Sequence, residues 1–149
     1  MAYRFKLETV LGVRRNLEEL AQQKLAREIA RLEEYRRGLA ALKQQRQELI
    51  DEFEEKKQRA MPAPLFAFHM EGIFHKEEEI EAGITVVETQ QGAVAQAREA
   101  LVVKMRDKKM MEKARERDYQ KYLLAVLKKE QNEADEQMVL RFGRKDNLH

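Results

Sequence analysis

A ladder of alternating three- and four-residue steps runs through the first third of the chain and constrains its fold more than any other feature. Its rungs are Leu7, Leu11, Arg14, Glu18, Ala21, Leu25, Glu28, Leu32, Tyr35, Leu39, Leu42, Arg46, Leu49 and Phe53, and ten of the fourteen are apolar. A mean spacing of about 3.5 residues lays them along one narrow stripe of a helix, the seam of a coiled coil rather than a broad face packed on a globular core. A second ladder runs from Ile73 through Ile80, Ile84, Val87, Val94, Leu101 and Met105 to Tyr119, Tyr122 and Val126, with polar interruptions. Between the two stands Met61-Pro62-Ala63-Pro64. Each proline lacks an N–H and disfavours helical geometry at the residue before it, so the helix breaks there. The expected fold is all-α: a long antiparallel two-helix coiled coil, or α-hairpin. Helix one is expected over about 5–60, the proline turn at 61–64 and helix two over about 65–142, with a disordered tail at 143–149.

Composition agrees. Ala, Glu, Lys, Leu and Arg make up 84 of 149 residues, above the roughly 50% level that marks long helices and coiled coils. The length fits one domain over residues 1–149. With no Cys, disulfides, thiolate nucleophiles and Cys-based zinc sites are excluded together. No apolar run approaches the roughly 18 residues needed to span a bilayer; Leu123-Leu124-Ala125-Val126-Leu127 is typical of the longest. The opening Met1-Ala2-Tyr3-Arg4-Phe5-Lys6 has no apolar stretch of the kind a secretory signal carries. The expectation is a cytoplasmic protein without direct membrane insertion.

In an antiparallel hairpin the residue numbers of facing rungs add to a constant, and a constant of 126 maps rung onto rung. Phe53 then faces Ile73, Leu42 faces Ile84, Leu39 faces Val87, Leu32 faces Val94, Leu25 faces Leu101 and Ala21 faces Met105. The charged exceptions match in sign: Glu28 faces Arg98, Glu18 faces Lys108 and Arg14 faces Glu112. The poorer rungs set Leu49 against Glu77, Tyr35 against Gln91, Leu11 against Arg115 and Arg46 against Ile80. At about 1.5 Å per residue the first helix reaches roughly 80 Å and the second over 110 Å, so the two cannot be coextensive. Leu123 to Phe142 therefore forms a C-terminal helical overhang. Its Leu127, Met138, Val139, Leu140 and Phe142 either dock on a second protein or leave the tail disordered.

Net charge conceals a regional pattern. Of 29 basic and 27 acidic residues, positions 1–62 hold 14 and 11, positions 63–103 hold 2 and 7, and positions 104–149 hold 13 and 9. The turn end is acidic and the open end basic. Gly72, Gly83 and Gly92 all lie in the acidic stretch, each costing about 1 kcal/mol against Ala in a helix interior, which makes this the softest part of helix two.

The search for catalytic motifs is empty: no phosphate-binding glycine loop, no Gly-x-Ser-x-Gly and no His-Glu-x-x-His. His69, His75 and His149 are the only histidines, and His75 with Glu79 one turn away supplies too few converging ligands for a metal. No enzyme activity, cofactor or metal is expected. The stretch from Lys104 to Lys121 carries eight basic and four acidic groups. Interleaved acids are unlike the clean positive face of a DNA-reading helix, so nucleic acid is not an expected partner. The cluster Phe66, Phe68 and Phe74 with Leu65, Met70 and Ile73 reads both as a cap on the hairpin core against Phe53 and as an apolar patch, rimmed by Glu71 and Glu77–Glu79, to which a partner docks.

The opening Phe5-Lys6-Leu7-Glu8-Thr9-Val10-Leu11 with Arg14-Arg15 resembles the start of the FliJ family of the bacterial flagellar type III export apparatus. The closing Glu130-Gln131-Asn132-Glu133-Ala134-Asp135-Glu136 followed by Arg141-Phe142 is similar to that family's end, so the resemblance covers nearly the whole chain. It implies a stalk-like coiled coil, similar to the central stalk of rotary ATPases. Such a stalk inserts into the hexameric export ATPase, promotes its assembly and ATP turnover, contacts the cytoplasmic domain of the membrane export gate and escorts export chaperones. Under this resemblance the ATPase is expected at Arg14, Arg15, Lys108, Lys109, Lys113, Arg115, Arg117, Leu127, Leu140 and Phe142, and the gate at Leu42, Leu49, Phe66, Phe68, Ile73 and Phe74. Gly72 and Lys76 depart from the family's apolar gate-facing positions. The protein is then expected to sit peripherally on the export apparatus at the inner membrane. A virulence secretion stalk and a generic coiled-coil scaffold are the alternatives.

Overall fold

The structure, a computed structural model, describes residues 2–146. It contains two long helices and, among the described residues, no strand: α1, Glu8–Lys57, and α2, Ala63–Asp146. This is the all-α helical hairpin that the ladders imply. No described helix is long and apolar enough to cross a membrane. α1 begins with backbone bonds alone, Glu8 N–H to the Phe5 carbonyl at 3.2 Å and Leu11 N–H to the Leu7 carbonyl at 2.9 Å. Glu8 in its first turn and Lys56 and Lys57 in its last complement the helix dipole. Arg59 N–H then closes a tight turn on the Lys56 carbonyl at 3.1 Å.

The two prolines divide the work of the break. The Pro62 carbonyl accepts from the N–H groups of both Leu65 and Phe66 at 3.1 Å, which makes it the residue that opens α2. Pro64 lies inside the first helical turn, where an N–H would have had no partner in any case. The connection therefore occupies 58–62 and not 61–64. At the far end α2 continues through 143–146, past Phe142, while 147–149, with His149, lie outside the described residues.

Packing divides the chain into two compact units, Met1–Glu18 with Lys104–His149, and Glu19–Val103. In the second unit the core is Leu32, Val87 and Val94, with Leu25, Ile29 and Leu39 packed on it. The pairs Leu32/Val94 and Leu39/Val87 thus share one cluster. Polar partners are chosen differently from the 126 register. The Gln90 amide donates to Glu28, at 2.6 Å to Oε2 and 2.9 Å to the backbone carbonyl, where Arg98 was expected. Arg46 grips Glu77 Oε1 at 2.9 and 3.1 Å, which removes the mismatch of Arg46 with Ile80 and of Leu49 with Glu77. Seam residues insert as knobs between two partner positions, and a long polar side chain reaches whichever neighbouring turn offers a counter-group.

The first unit follows the same logic. Lys108 Nζ meets Glu18 Oε2 at 2.5 Å as the register has it. Arg14 donates to the Asp107 carbonyl at 2.9 Å and not to Glu112. Leu11, expected opposite Arg115, is fully buried, and Arg115 has turned to Glu8 at 3.5 Å.

α2 runs unbroken through all three glycines of the acidic stretch. Gly83 has a packing reason: a Cβ there would stand 3.1 Å from Leu39 Cδ1 and 3.7 Å from Leu42 Cδ1, whereas nothing lies within 4 Å of one at Gly72 or Gly92. Gly72→Ala and Gly92→Ala should each stabilise the hairpin by about 0.5–1 kcal/mol. Gly83→Ala should gain clearly less, because Leu39 must shift to admit the methyl. Urea denaturation of the three variants checks the order; equal gains at all three would mean that the helices are not in close approach at Gly83.

Candidate interaction surfaces

With no catalytic motif to build on, the candidate sites are surfaces. In the first unit, the ten-residue set expected to meet the ATPase separates into engaged and free side chains. Lys108 is tied to the buried Glu18, Arg14 to the Asp107 carbonyl and Arg115 to Glu8. Hydrogen bonding to the Glu18 carboxylate is the main reason that the Lys108 ammonium is held above the ordinary lysine value, against the opposing effect of burial. Arg15, Lys109, Lys113 and Arg117 are exposed. Leu127, Leu140 and Phe142 are 61%, 66% and 61% exposed.

Lys109, Lys113 and Arg117 lie four residues apart, and Lys121, also exposed, extends the row by one more turn. This puts four cations in line on one face of α2, and none of them makes an ion pair with another of the described residues. Like charges at this spacing destabilise a helix by about 0.2–0.5 kcal/mol per pair. Fold stability alone therefore gives no reason for the row. The sequence reading included three of the four; Lys121 is recognised only once the common face is established.

A tyrosine clamp in the same unit was not foreseen. Tyr3, on the non-helical segment before α1, donates through its hydroxyl to Asp118 Oδ2 at 2.9 Å and approaches the Arg115 carbonyl at 3.3 Å. Its ring lies 5.0 Å from Tyr119 and 5.2 Å from Tyr122. Partial burial, then the Asp118 hydrogen bond and charge, push the Tyr3 phenol up. The segment before α1 thus packs back along α2 at Asp118, Tyr119 and Tyr122, just short of the expected overhang from Leu123. Its only sequence signal was the aromatic pair Tyr119 and Tyr122 near the end of the second ladder, because an extended segment has no periodicity to read.

In the second unit, the set expected to meet the gate is sorted by burial. Ile73 is buried, and Leu42 and Leu49 are half-buried. Phe66 stacks edge-on against the buried Phe53 at 5.3 Å and keeps 44% of its surface exposed. Phe68 and Phe74 are 70% and 62% exposed, with Leu65 and Met70 also out. The cluster divides: Ile73 and part of Phe66 pack toward the core, while Phe68 and Phe74 stay exposed. His69 packs between Phe53 and Phe68, while Glu79 receives Lys76 at 3.0 Å and His75 at 3.2 Å. Hydrogen bonding to Lys76 holds the Glu79 carboxyl below its ordinary range. Among the described residues no group of three His, Asp or Glu side chains is placed to hold a metal ion.

From Leu127 to Arg144 every residue of α2 is exposed. These surfaces present a row of cations, an exposed phenylalanine patch and an exposed helix end. In comparison with known proteins, the family described as the flagellar FliJ protein matches residues 3–147. No curated protein and no solved structure matches the chain.

Proposed function

The chain belongs to the FliJ family of flagellar export proteins, and from that premise we propose that it is the stalk of the export apparatus, a coiled coil that touches an ATP-driven ring and a membrane gate through different surfaces. It binds the hexameric export ATPase through Lys109, Lys113, Arg117 and Lys121 and through the exposed end of α2, and promotes ring assembly and ATP turnover. Phe68 and Phe74, with the exposed part of Phe66, contact the cytoplasmic domain of the export gate, and export chaperones are carried on the same molecule. It binds no nucleotide and catalyses nothing itself. It works in the cytoplasm, held peripherally at the inner membrane by these partners. The matched family is the flagellar one, which favours this reading over a virulence secretion stalk.

The observation that carries the proposal is the unpaired cation row. Contacts dominated by surface charge are weak singly and fall off with salt, which suits a stalk that must exchange between subunits of a ring. Lys108 and Arg115 are poor probes of this contact, because reversing them also breaks their bonds to Glu18 and Glu8. The test is the triple change Lys109→Glu, Lys113→Glu and Arg117→Glu. Stimulation of the cognate ATPase should be abolished while helix content by circular dichroism is unchanged; stimulation that survives in full would remove the row from the ring contact.

A further inference from the structure

The exposed end of α2 carries a second seam. Leu124, Leu127, Gln131, Ala134, Met138 and Arg141 again step by three and four residues. At about 100° per residue their stripe is rotated by about 130° from the line of Arg115, Tyr122 and Val126, on which Arg115 meets Glu8 of α1 and Tyr122 packs on Tyr3. It therefore does not prolong the intramolecular seam. Leu124, Leu127 and Met138 are 66%, 61% and 57% exposed on it. A heptad stripe that no part of its own chain covers calls for a helix from elsewhere.

We propose that this stripe pairs two copies of the chain, antiparallel, about an axis between Gln131 and Ala134. Leu127 of each copy then faces Met138 of the other, Gln131 faces Ala134, and Leu124 packs on the stem of Arg141. Charge selects this arrangement. Beside the stripe, Lys128 of each copy meets Asp135 of the other, giving two ion pairs by symmetry. A slip of one heptad in one direction brings Lys128 against Lys128, and in the other Asp135 against Asp135. Parallel pairing sets Glu130 against Asp135. The slip that sets Lys128 on Lys128 also brings Lys121 against Asp135, but the centred antiparallel register alone joins opposite signs with no like-charge contact beside them. The paired stretch is about 27 Å long and smaller than the roughly 1,200 Å² of a stable interface, so association is weak and concentration-dependent. A copy paired in this way has its stripe covered, so pairing competes with any other use of that face. This inference is independent of the stalk reading and needs no ATPase to test.

Sedimentation velocity of the full-length protein at low salt, from micromolar to millimolar concentration, should show a monomer–dimer equilibrium. Lys128→Asp and Asp135→Lys should each weaken it about tenfold, since each replaces two ion pairs by two like-charge contacts. The double variant Lys128→Asp/Asp135→Lys should restore it. Helix content stays constant because both residues are exposed and outside the hairpin seam. A monomer throughout the range overturns the proposal, as does a dimer indifferent to the single reversals or one that the double variant fails to restore.

Discussion

Leu32→Ala should destabilise the hairpin by about 2–4 kcal/mol. Leu32 is 8% exposed and shares its cluster with Val87 and Val94, with Leu25, Ile29 and Leu39 packed on it. Removing three carbon atoms there leaves a hole that two helices, with only one seam between them, close incompletely. For a chain of this size the loss corresponds to a fall of about 5–15 °C in Tm, read by circular dichroism. Glu33→Ala, next along the chain and 64% exposed at its side chain, should change stability by less than about 0.5 kcal/mol. Equal effects at the two positions would mean that the ladder is not the core. Amide exchange in Leu32→Ala should quicken at Val87 and Val94, the residues that lose contact.

Gln90→Leu should cost about 1–3 kcal/mol, because Glu28 Oε2 loses the amide that donates to it and only Arg31, at 3.4 Å from Oε1, is left on the carboxylate. Gln90 is 9% exposed and the Glu28 side chain 14%, so water replaces the lost bonds poorly. The double change Glu28→Leu/Gln90→Leu should recover that loss and even exceed wild-type stability, since an apolar pair needs no compensation. It should also weaken the choice of register, which a polar pair in an apolar seam enforces. A urea-denaturation cycle of the two single variants and the double gives the coupling. If Gln90→Leu alone is neutral, the amide does not hold Glu28 in solution.

These outcomes depend on different levels of information. The helices, the break and the existence of a seam were legible from local periodicity and from two prolines, because backbone geometry and a 3.5-residue repeat act within a few residues. The family was legible in the terminal motifs, and its profile spans residues 3–147. The polar partners were legible only in part. Glu18 and Lys108 meet as read, but Glu28 takes Gln90 in place of Arg98, and Arg14 takes a backbone carbonyl in place of Glu112. Facing positions on paper are one residue wide, whereas Arg, Glu and Gln side chains reach across a whole turn.

The candidate surfaces divide along the same line. That positions 104–149 are basic, and that phenylalanines gather after the prolines, was present in the sequence. Which cations stay free was not: Lys109, Lys113, Arg117 and Lys121 share the exposed face, while Lys108 and Arg115 are consumed by Glu18 and Glu8. Ile73 and Phe74 are neighbours of one chemical class, yet one is buried and the other 62% exposed. By itself the sequence determined two long helices, their antiparallel pairing and an uncovered end, all consequences of short-range pattern. Tertiary structure alone decided which charges are spent inside the molecule, which aromatic rings stay exposed, and that Tyr3 closes on Asp118, because those outcomes depend on side-chain reach between residues up to 115 positions apart.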